Sequence, residues 1–377
     1  MPRLDVVVSC PVVDSFRVRQ VAGLFDVPLA ERSEECFTVE VPDLPSEPDW
    51  RIGLIVGPSA SGKSTLARRL FPGALEPAAP WPADQAVIEA LGDLPIKQAT
   101  GLFTAVGFGS PPAWIRPYSV LSGGERFRCD LARALARGVE SATGAGATNQ
   151  LRPLVACDEF TSTVDRQVGQ ICSAALARGI RSGTIPCRFV AITCHYDVAE
   201  WLEPDWTIDM ATQTFARRRL RRPRLELEVF RCRRDAWRLF ARHHYLSGRL
   251  NPAAECYVAL WKQQPVAFCA TLAVMGARGR RRISRLVTLP DYQGVGIGTR
   301  LAEAIAASYL RRGLRLSLTA SHPGLLAHCR RSNRWRPAQV YRTGSRPGRL
   351  RGYRGSMGRA VLTFEFVGCG GSHARLG

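Results

Sequence analysis

Three apolar runs in the first half of the chain each end in polar residues, and each predicts a buried strand. Residues 52–56 stop at Gly57 and lead, after a loop, into a helical Leu66-Ala67-Arg68-Arg69-Leu70; 154–157 stop at Asp158 and Glu159; 189–194 stop at His195. Upstream, 36–41 alternates as a half-buried strand does, a short apolar run covers 6–8, and the prolines of 42–48 make a turn before the 52–56 strand. The stretch 72–118 is rich in Pro, Gly and Ala and predicts one helix near 83–91, whereas 126–135 is strongly helical. From residue 225 the pattern restarts. Residues 225–230 alternate as a strand, 235–244 read as a helix with Trp237 and Phe240 inward, and 257–261 with 266–274 read as a hairpin around Gln263-Gln264-Pro265. A strand over 283–289, an Ala-rich helix to about Leu310 and a strand over 314–319 follow.

The loop after the 52–56 strand, Gly57-Pro58-Ser59-Ala60-Ser61-Gly62-Lys63-Ser64-Thr65, has the G-x-x-x-x-G-K-[ST] spacing of a phosphate-binding loop. Its glycines let backbone N–H groups turn onto phosphate oxygens, and the helix start adds its positive end. In that pattern Lys63 reaches the terminal phosphates of a nucleotide and Ser64 holds Mg²⁺. Asp158 is placed to hold the metal through water, and Glu159 to orient and polarise an attacking water. Ser122-Gly123-Gly124-Glu125 opens the 126–135 helix, either as a second anion-binding helix start or as a simple cap.

Length and charge narrow the picture. At 377 residues two domains are the natural expectation, and no apolar stretch reaches the roughly 18–20 residues of a membrane span. The N-terminus lacks a charged-then-apolar leader, and twelve cysteines are scattered without a C-x-x-C pair, which predicts reduced thiols in a cytoplasmic protein with no membrane partner. The net charge of +20 is unevenly divided. Residues 1–224 hold 25 Lys+Arg against 25 Asp+Glu, and 225–377 hold 27 against 7. Coding bias explains arginine over lysine in a chain with three lysines; it does not explain the loss of carboxylates from one half. Such a field favours a polyanion, most simply nucleic acid, and DNA above all.

The order of these motifs resembles the ABC-type ATPase family over about residues 35–215. The resemblance implies a Walker A loop at 57–65, a signature at 121–125, a Walker B strand at 154–159, a D-loop at 162–165 that includes Asp165, and a switch histidine at His195 that contacts the γ-phosphate. In that family two such domains sandwich ATP, each signature closing the other's site. One loop and one signature per chain therefore imply a homodimer, with Ser122, Gly123, Gly124 and Glu125 acting in trans. The region between Walker A and signature is short for the family, Gln98 is the candidate for the glutamine that reaches the metal, and the aromatic that stacks on adenine has no assignment.

In the second half, Gln293-Gly294-Val295-Gly296-Ile297-Gly298 lies between strand and helix and reads as a pyrophosphate cradle, with the N–H groups of 295–298 pointing at the ligand. As a bare glycine pattern it also matches a dinucleotide fingerprint or a simple turn, and the mixed strands before it argue against a doubly wound nucleotide fold. Motif and element order resemble the GNAT acyltransferase family over about 226–366, whose Q/R-x-x-G-x-G/A loop holds acetyl-CoA or another acyl-CoA. Many GNAT enzymes carry a tyrosine acid after the strand equivalent to 314–319. Here 325–331 reads Leu-Leu-Ala-His-Cys-Arg-Arg, so His328 or Cys329 is the substitute, or transfer has been lost. His244-Tyr245 looks like the His-Tyr pair of phage Mom-type DNA-modifying proteins, which implies adenine modification and iron; the bland reading is a polar helix end.

The expected fold is α/β: an N-terminal extension over 1–34, a P-loop ABC-type ATPase domain over 35–215, a basic linker over 216–224, and an α+β GNAT-like domain over 225–377. The expected function is ATP binding and hydrolysis coupled to acyl transfer on or with nucleic acid. Two alternatives stand beside it, Mom-like base modification and an ATP-gated nucleic-acid clamp with a non-catalytic second half. A third has the second half acylating a small molecule or protein.

Overall fold

The computed structural model describes residues 3–27, 29, 32–47, 49–75, 79–143, 152–217, 225–244, 249–342 and 360–368. Strands β1 (Arg3–Pro11) and β2 (Arg32–Glu40) form an antiparallel pair, joined through helix α1 (Phe16–Phe25), whose Ser15 cap accepts from the Val18 N–H. Then come β3 (Ile52–Val56), α2 (Lys63–Leu70), α3 (Ile96–Ala105), the short α4 (Pro111–Trp114), α5 (Gly123–Thr143), β4 (Leu154–Cys157), α6 (Arg166–Arg181), β5 (Arg188–Thr193), α7 (Val198–Leu202), β6 (Trp206–Asp209) and β7 (Thr214–Ala216).

The sheet order is β4-β5-β3-β6-β7, parallel except for the β6–β7 pair. Every residue of β3 and β5 is buried, which is why both read as unbroken apolar runs rather than alternating ones. Because β3, β4 and β5 run the same way, the residues after each arrive at one edge of the sheet. The 57–62 loop, the Asp158-Glu159 pair and His195 share that edge.

No helix forms over 83–91. The amides that a helix would use are spent on tertiary bonds: Val87 N donates to Arg116 O (3.0 Å) and Ile88 N to Trp114 O (3.1 Å). Trp81 stacks on Tyr118 with ring centroids 4.8 Å apart, and both donate to the Asp130 carboxylate of α5. Only a single 3-10 turn, Glu89–Leu91, remains.

The second half contains β8 (Glu228–Cys232), α8 (Trp237–Phe240), β9 (Glu255–Trp261), β10 (Gln264–Ala273), β11 (Arg280–Thr288), α9 (Ile297–Arg311), β12 (Arg315–Ala320), α10 (Pro323–Arg331), β13 (Trp335–Arg342) and β14 (Ala360–Phe366). They make one sheet in the order β13-β14-β12-β11-β10-β9-β8. Its one parallel pair, β11 with β12, is joined by α9, whose Leu301, Ala302, Ile305, Ala306 and Tyr309 are buried. The helix expected over 235–244 is instead α8 with a 3-10 turn on each side, although Trp237 and Phe240 do face inward. The β9–β10 turn is Lys262-Gln263, both with positive φ, so the turn is tighter than Gln263-Gln264-Pro265 suggested.

Two irregularities shape this sheet. The β10–β11 register skips Ser284, a bulge whose hydroxyl donates to Ala270 O (3.1 Å). Beyond it the parallel pairing stops: β11 meets β12 only over Arg280–Ile283. The two strands therefore splay, and the outer stretch of β11 leads to the 293–298 loop without strand pairing to β12.

Candidate functional site

Residues 57–62 join the end of β3 to the start of α2. Lys63 is buried in the first turn of α2, and its Nζ donates to Pro58 O at 2.5 Å, a bond internal to the loop. Gly62 caps the helix with φ of 78°, and a Cβ there would sit 3.0 Å from the ring of Phe37 on β2. That ring over the loop is a residue the sequence reading missed; its only signal was an aromatic in the strand that alternates just before the motif. Three non-glycine residues with left-handed backbone, Ala60, Glu159 and Thr161, lie in the loop and in the turn after β4. Such strain collects where a site is held in a set conformation.

Asp158 is half-buried and its Oδ1 accepts from the Glu159 N–H (3.1 Å), while Glu159 is exposed. Phe160 N donates to Ile192 O (2.9 Å), which ties this turn to β5 and so to His195. Burial and the nearby Arg166 charge hold the His195 pKa below the usual histidine value, against the pull of Asp197 and Glu159. The imidazole is neutral near pH 7. Asp165 caps α6 by accepting from Val168 N (3.0 Å), and Arg166 grips Asp197 through two bonds (2.6 and 3.3 Å). This pair, not foreseen, links the start of α6 to the turn after His195.

Ser122 and Glu125 form a capping box: Ser122 N and Oγ both lie 2.9 Å from Glu125 Oε2, and Ser122 Oγ accepts from Glu125 N (3.4 Å). Ser122 and Gly123 are exposed and open to a partner molecule. Gln98 sits on the exposed face of α3, and no bond among the described residues links it to the phosphate loop.

The 293–298 loop is where the two halves meet. Gly296 caps α9 with φ of 90°, a left-handed backbone that favours glycine. Yet a Cβ on Gly298 would meet Thr288 Oγ1 at 2.7 Å, and one on Gly296 the Arg178 guanidinium at 3.2 Å, so these glycines answer to the protein as well as to a ligand. Gln293 turns away from the cradle. Its Oε1 accepts from Gly109 N (2.6 Å) and its Nε2 donates to Thr288 O (2.9 Å). Tyr292 donates to Gln167 Oε1 (2.9 Å), and the fully buried Arg128, one turn into α5, donates to Asp291 O (3.1 Å). His322 Nε2, opposite Trp114, donates to Gly109 O (3.1 Å).

Among the proposed transfer residues, His328 on α10 bonds the buried Glu303 of α9 (2.8 Å), which also accepts from Arg334 (3.1 Å). Cys329 is buried, and burial with the Glu303 charge pushes its thiol up to about 12, which removes it from proton transfer near neutral pH. The ring of His244 lies edge-on to Trp237 at 5.7 Å; Tyr245 lies outside the described residues, as does 218–224 of the basic linker. No cluster of three or more His, Cys, Asp or Glu is found among the described residues, and none of their helices is long and apolar enough to cross a membrane.

Exposed arginines gather at the far end of the second sheet. Arg278, Arg280 and Arg282 lie on the β10–β11 hairpin and the start of β11; Arg311 and Arg312 end α9; Arg315 pairs in register with Arg280. Since α9 runs from the cradle to this cluster, its fifteen residues separate the two by about 22 Å.

Residues 219–328 match the family model described as the acetyltransferase (GNAT) family. No curated protein matches the chain. Among solved structures, the ribosomal-protein-S18-alanine N-acetyltransferase of Escherichia coli is 16% identical, covering 40% of this chain and all of that one, with a TM-score of 0.30. The Bacillus subtilis acetyltransferase in complex with CoA is 12% identical over 38% of this chain and 98% of that one, with a TM-score of 0.29. Over the other half, the dimeric ATP-binding cassette MJ0796 bound to ADP and Pi is 17% identical, covering 50% of this chain and 94% of that one, with a TM-score of 0.35.

Proposed function

We propose that the chain is an ABC-type ATPase, spanning about 35–215, joined to a GNAT-type acyltransferase half over 225–377 that works with nucleic acid. The convergence of the phosphate loop, Asp158-Glu159 and His195 on one sheet edge carries the first part. Lys63 Nζ holds a loop carbonyl and would turn to a terminal phosphate. Phe37 would flank the nucleotide, and Ser64 with Asp158 would hold Mg²⁺, which neutralises phosphate charge. Glu159, exposed beside them, would orient the attacking water, and the neutral His195 would hydrogen-bond the γ-phosphate. The signature, Ser122 to Glu125, whose first two residues are exposed, would close on a partner's nucleotide, making the chain an ATP-dependent homodimer of the cytoplasm. The variant Glu159→Gln tests this: it should accumulate as a dimer with ATP in light scattering. Monomer at saturating ATP would count against the reading.

Acyl-CoA fits the second half on three grounds: the family match, the splayed β11–β12 pair, and a glycine loop capping a fifteen-residue helix. The loop amides of 295–298 would hold the diphosphate, and the open edge of β11 would take the extended arm. His328, oriented by Glu303, is the group available to move a proton. DNA is the acceptor that the arginine cluster favours. Bases from DNA of expressing cells should gain mass, and lose that gain in Gly296→Glu.

A second reading, an ATP-gated clamp without transfer, draws support from the buried Cys329, the absence of a tyrosine on α10 and the roughly 22 Å between cluster and cradle. Unchanged bases with DNA affinity retained would favour it. Iron and a base modification through His244-Tyr245 would instead leave iron in the purified chain.

A further inference from the structure

The second half carries 27 Lys+Arg, yet the stretch from Leu289 to Thr299, which holds the glycine loop, contains none. From Leu289 to Thr299 the sequence is Leu-Pro-Asp-Tyr-Gln-Gly-Val-Gly-Ile-Gly-Thr, and the next residue, Arg300, is well exposed and leans on Glu303. The other half places a cation beside this loop. Arg178, in the last turn of α6, donates to Gly294 O, and its NH1 stands 3.2 Å from where a Cβ of Gly296 would lie. A guanidinium is welcome at the C-terminal end of its own helix. It is also parked beside the first turn of α9, whose free N–H groups make that end positive. Like signs face each other there, a setting that favours an anion between them.

We propose that the acyl-CoA diphosphate site is shared between the halves, with the 295–298 amides contributed by one and the Arg178 guanidinium by the other. The inference rests on the acyl-CoA reading above. Arg178 already bonds Gly294 O, which fixes its guanidinium over the loop. A guanidinium carries five N–H donors, enough to serve a carbonyl and phosphate oxygens together. Gln293 and Tyr292 keep the cradle in place by anchoring its entry to Gly109 and to Gln167 of α6. The site would therefore exist in full only while the two halves are docked.

The test is calorimetric titration of coenzyme A into the full chain. It is done in a Lys63→Ala background, so that the adenosine portion of the probe is not read at the phosphate loop. Arg178→Ala should weaken binding about tenfold, the scale of one charge-assisted hydrogen bond, and Arg178→Lys should restore most of it. Equal affinity in all three proteins would overturn the assignment of Arg178 and leave the acyl-CoA reading standing. No binding by the Lys63→Ala parent would overturn that reading and the inference together.

Discussion

The side-chain oxygen of Gln293 accepts a hydrogen bond from the backbone N–H of Gly109 at 2.6 Å, across the seam between the halves. The residue that the proposed function would make a CoA contact is thereby committed to holding its own loop against the first half. Beside it, Gly294 has φ of 88°, and a Cβ there would fall 2.6 Å from Ala175 Cβ and 2.7 Å from Gly107 Cα.

Gly294→Ala should therefore wedge the seam open. Both the left-handed backbone and the close approach oppose it, and a loss of about 1–3 kcal/mol is expected. Thermal unfolding should show a lower midpoint, or the separation of one transition into two. An unchanged midpoint would mean that the close approach is absent in solution.

Nucleotide state and CoA affinity should be linked. The cradle's entry is held by Arg128, four residues past the signature's Gly124, and by Gln167, two past Asp165. Under the proposed function, ATP-driven dimerisation would act on both motifs. In Glu159→Gln protein, CoA affinity should differ with and without ATP by about fivefold or more, a common scale for coupled sites. Saturating CoA should shift the ATP midpoint of dimerisation by the same factor, because binding linkage is reciprocal. Tyr292→Phe should reduce both shifts together.

Mild acid should loosen the molecule. Burial holds the His322 pKa below its ordinary value, with the Gly109 carbonyl only partly opposing, and His195 and His243 are shifted the same way. As pH falls through about 6.5, the unfolded chain binds protons that the folded one refuses, so stability is lost downward from there and is flat above. Unfolding midpoints between pH 5 and 8 will trace this, and His322→Asn should flatten part of the slope.

DNA binding should depend steeply on salt and on the far arginines. Between 50 and 200 mM salt, affinity should fall about tenfold or more, as for any interface that releases several counterions. Replacing Arg280 and Arg282 by alanine should reduce the logarithmic slope by about one for each phosphate left without its arginine. A slope that does not change would move the DNA-binding face elsewhere on the surface.

The parts of this molecule that recur in sequence as local chemistry were legible. Lys63 follows a glycine turn, Asp158 and Glu159 follow an apolar strand, and Gly296 precedes a helix; each pattern is written within ten residues. The 83–91 segment misled because its apolar spacing suits a helix, while its amides bond the backbone of 114–116 and its shape depends on the Trp81–Tyr118–Asp130 cluster. Phe37 over Gly62, Arg128 under Asp291 and Gln293 on Gly109 join residues from 25 to 184 positions apart. No periodicity records such pairings. The direction of Gln293 was the costliest of these, since the same carboxamide suits a ligand or a seam equally well on paper.

Arg128 has no exposed surface, and its roof is Asp291 from the other half. A gene cut between the halves would leave a bare guanidinium in a hollow on one product and an unsupported loop on the other. To graft either onto a foreign partner, the Gly107–Gly109 turn, Arg128 and the Pro290–Gly294 strip would have to be inherited as one unit.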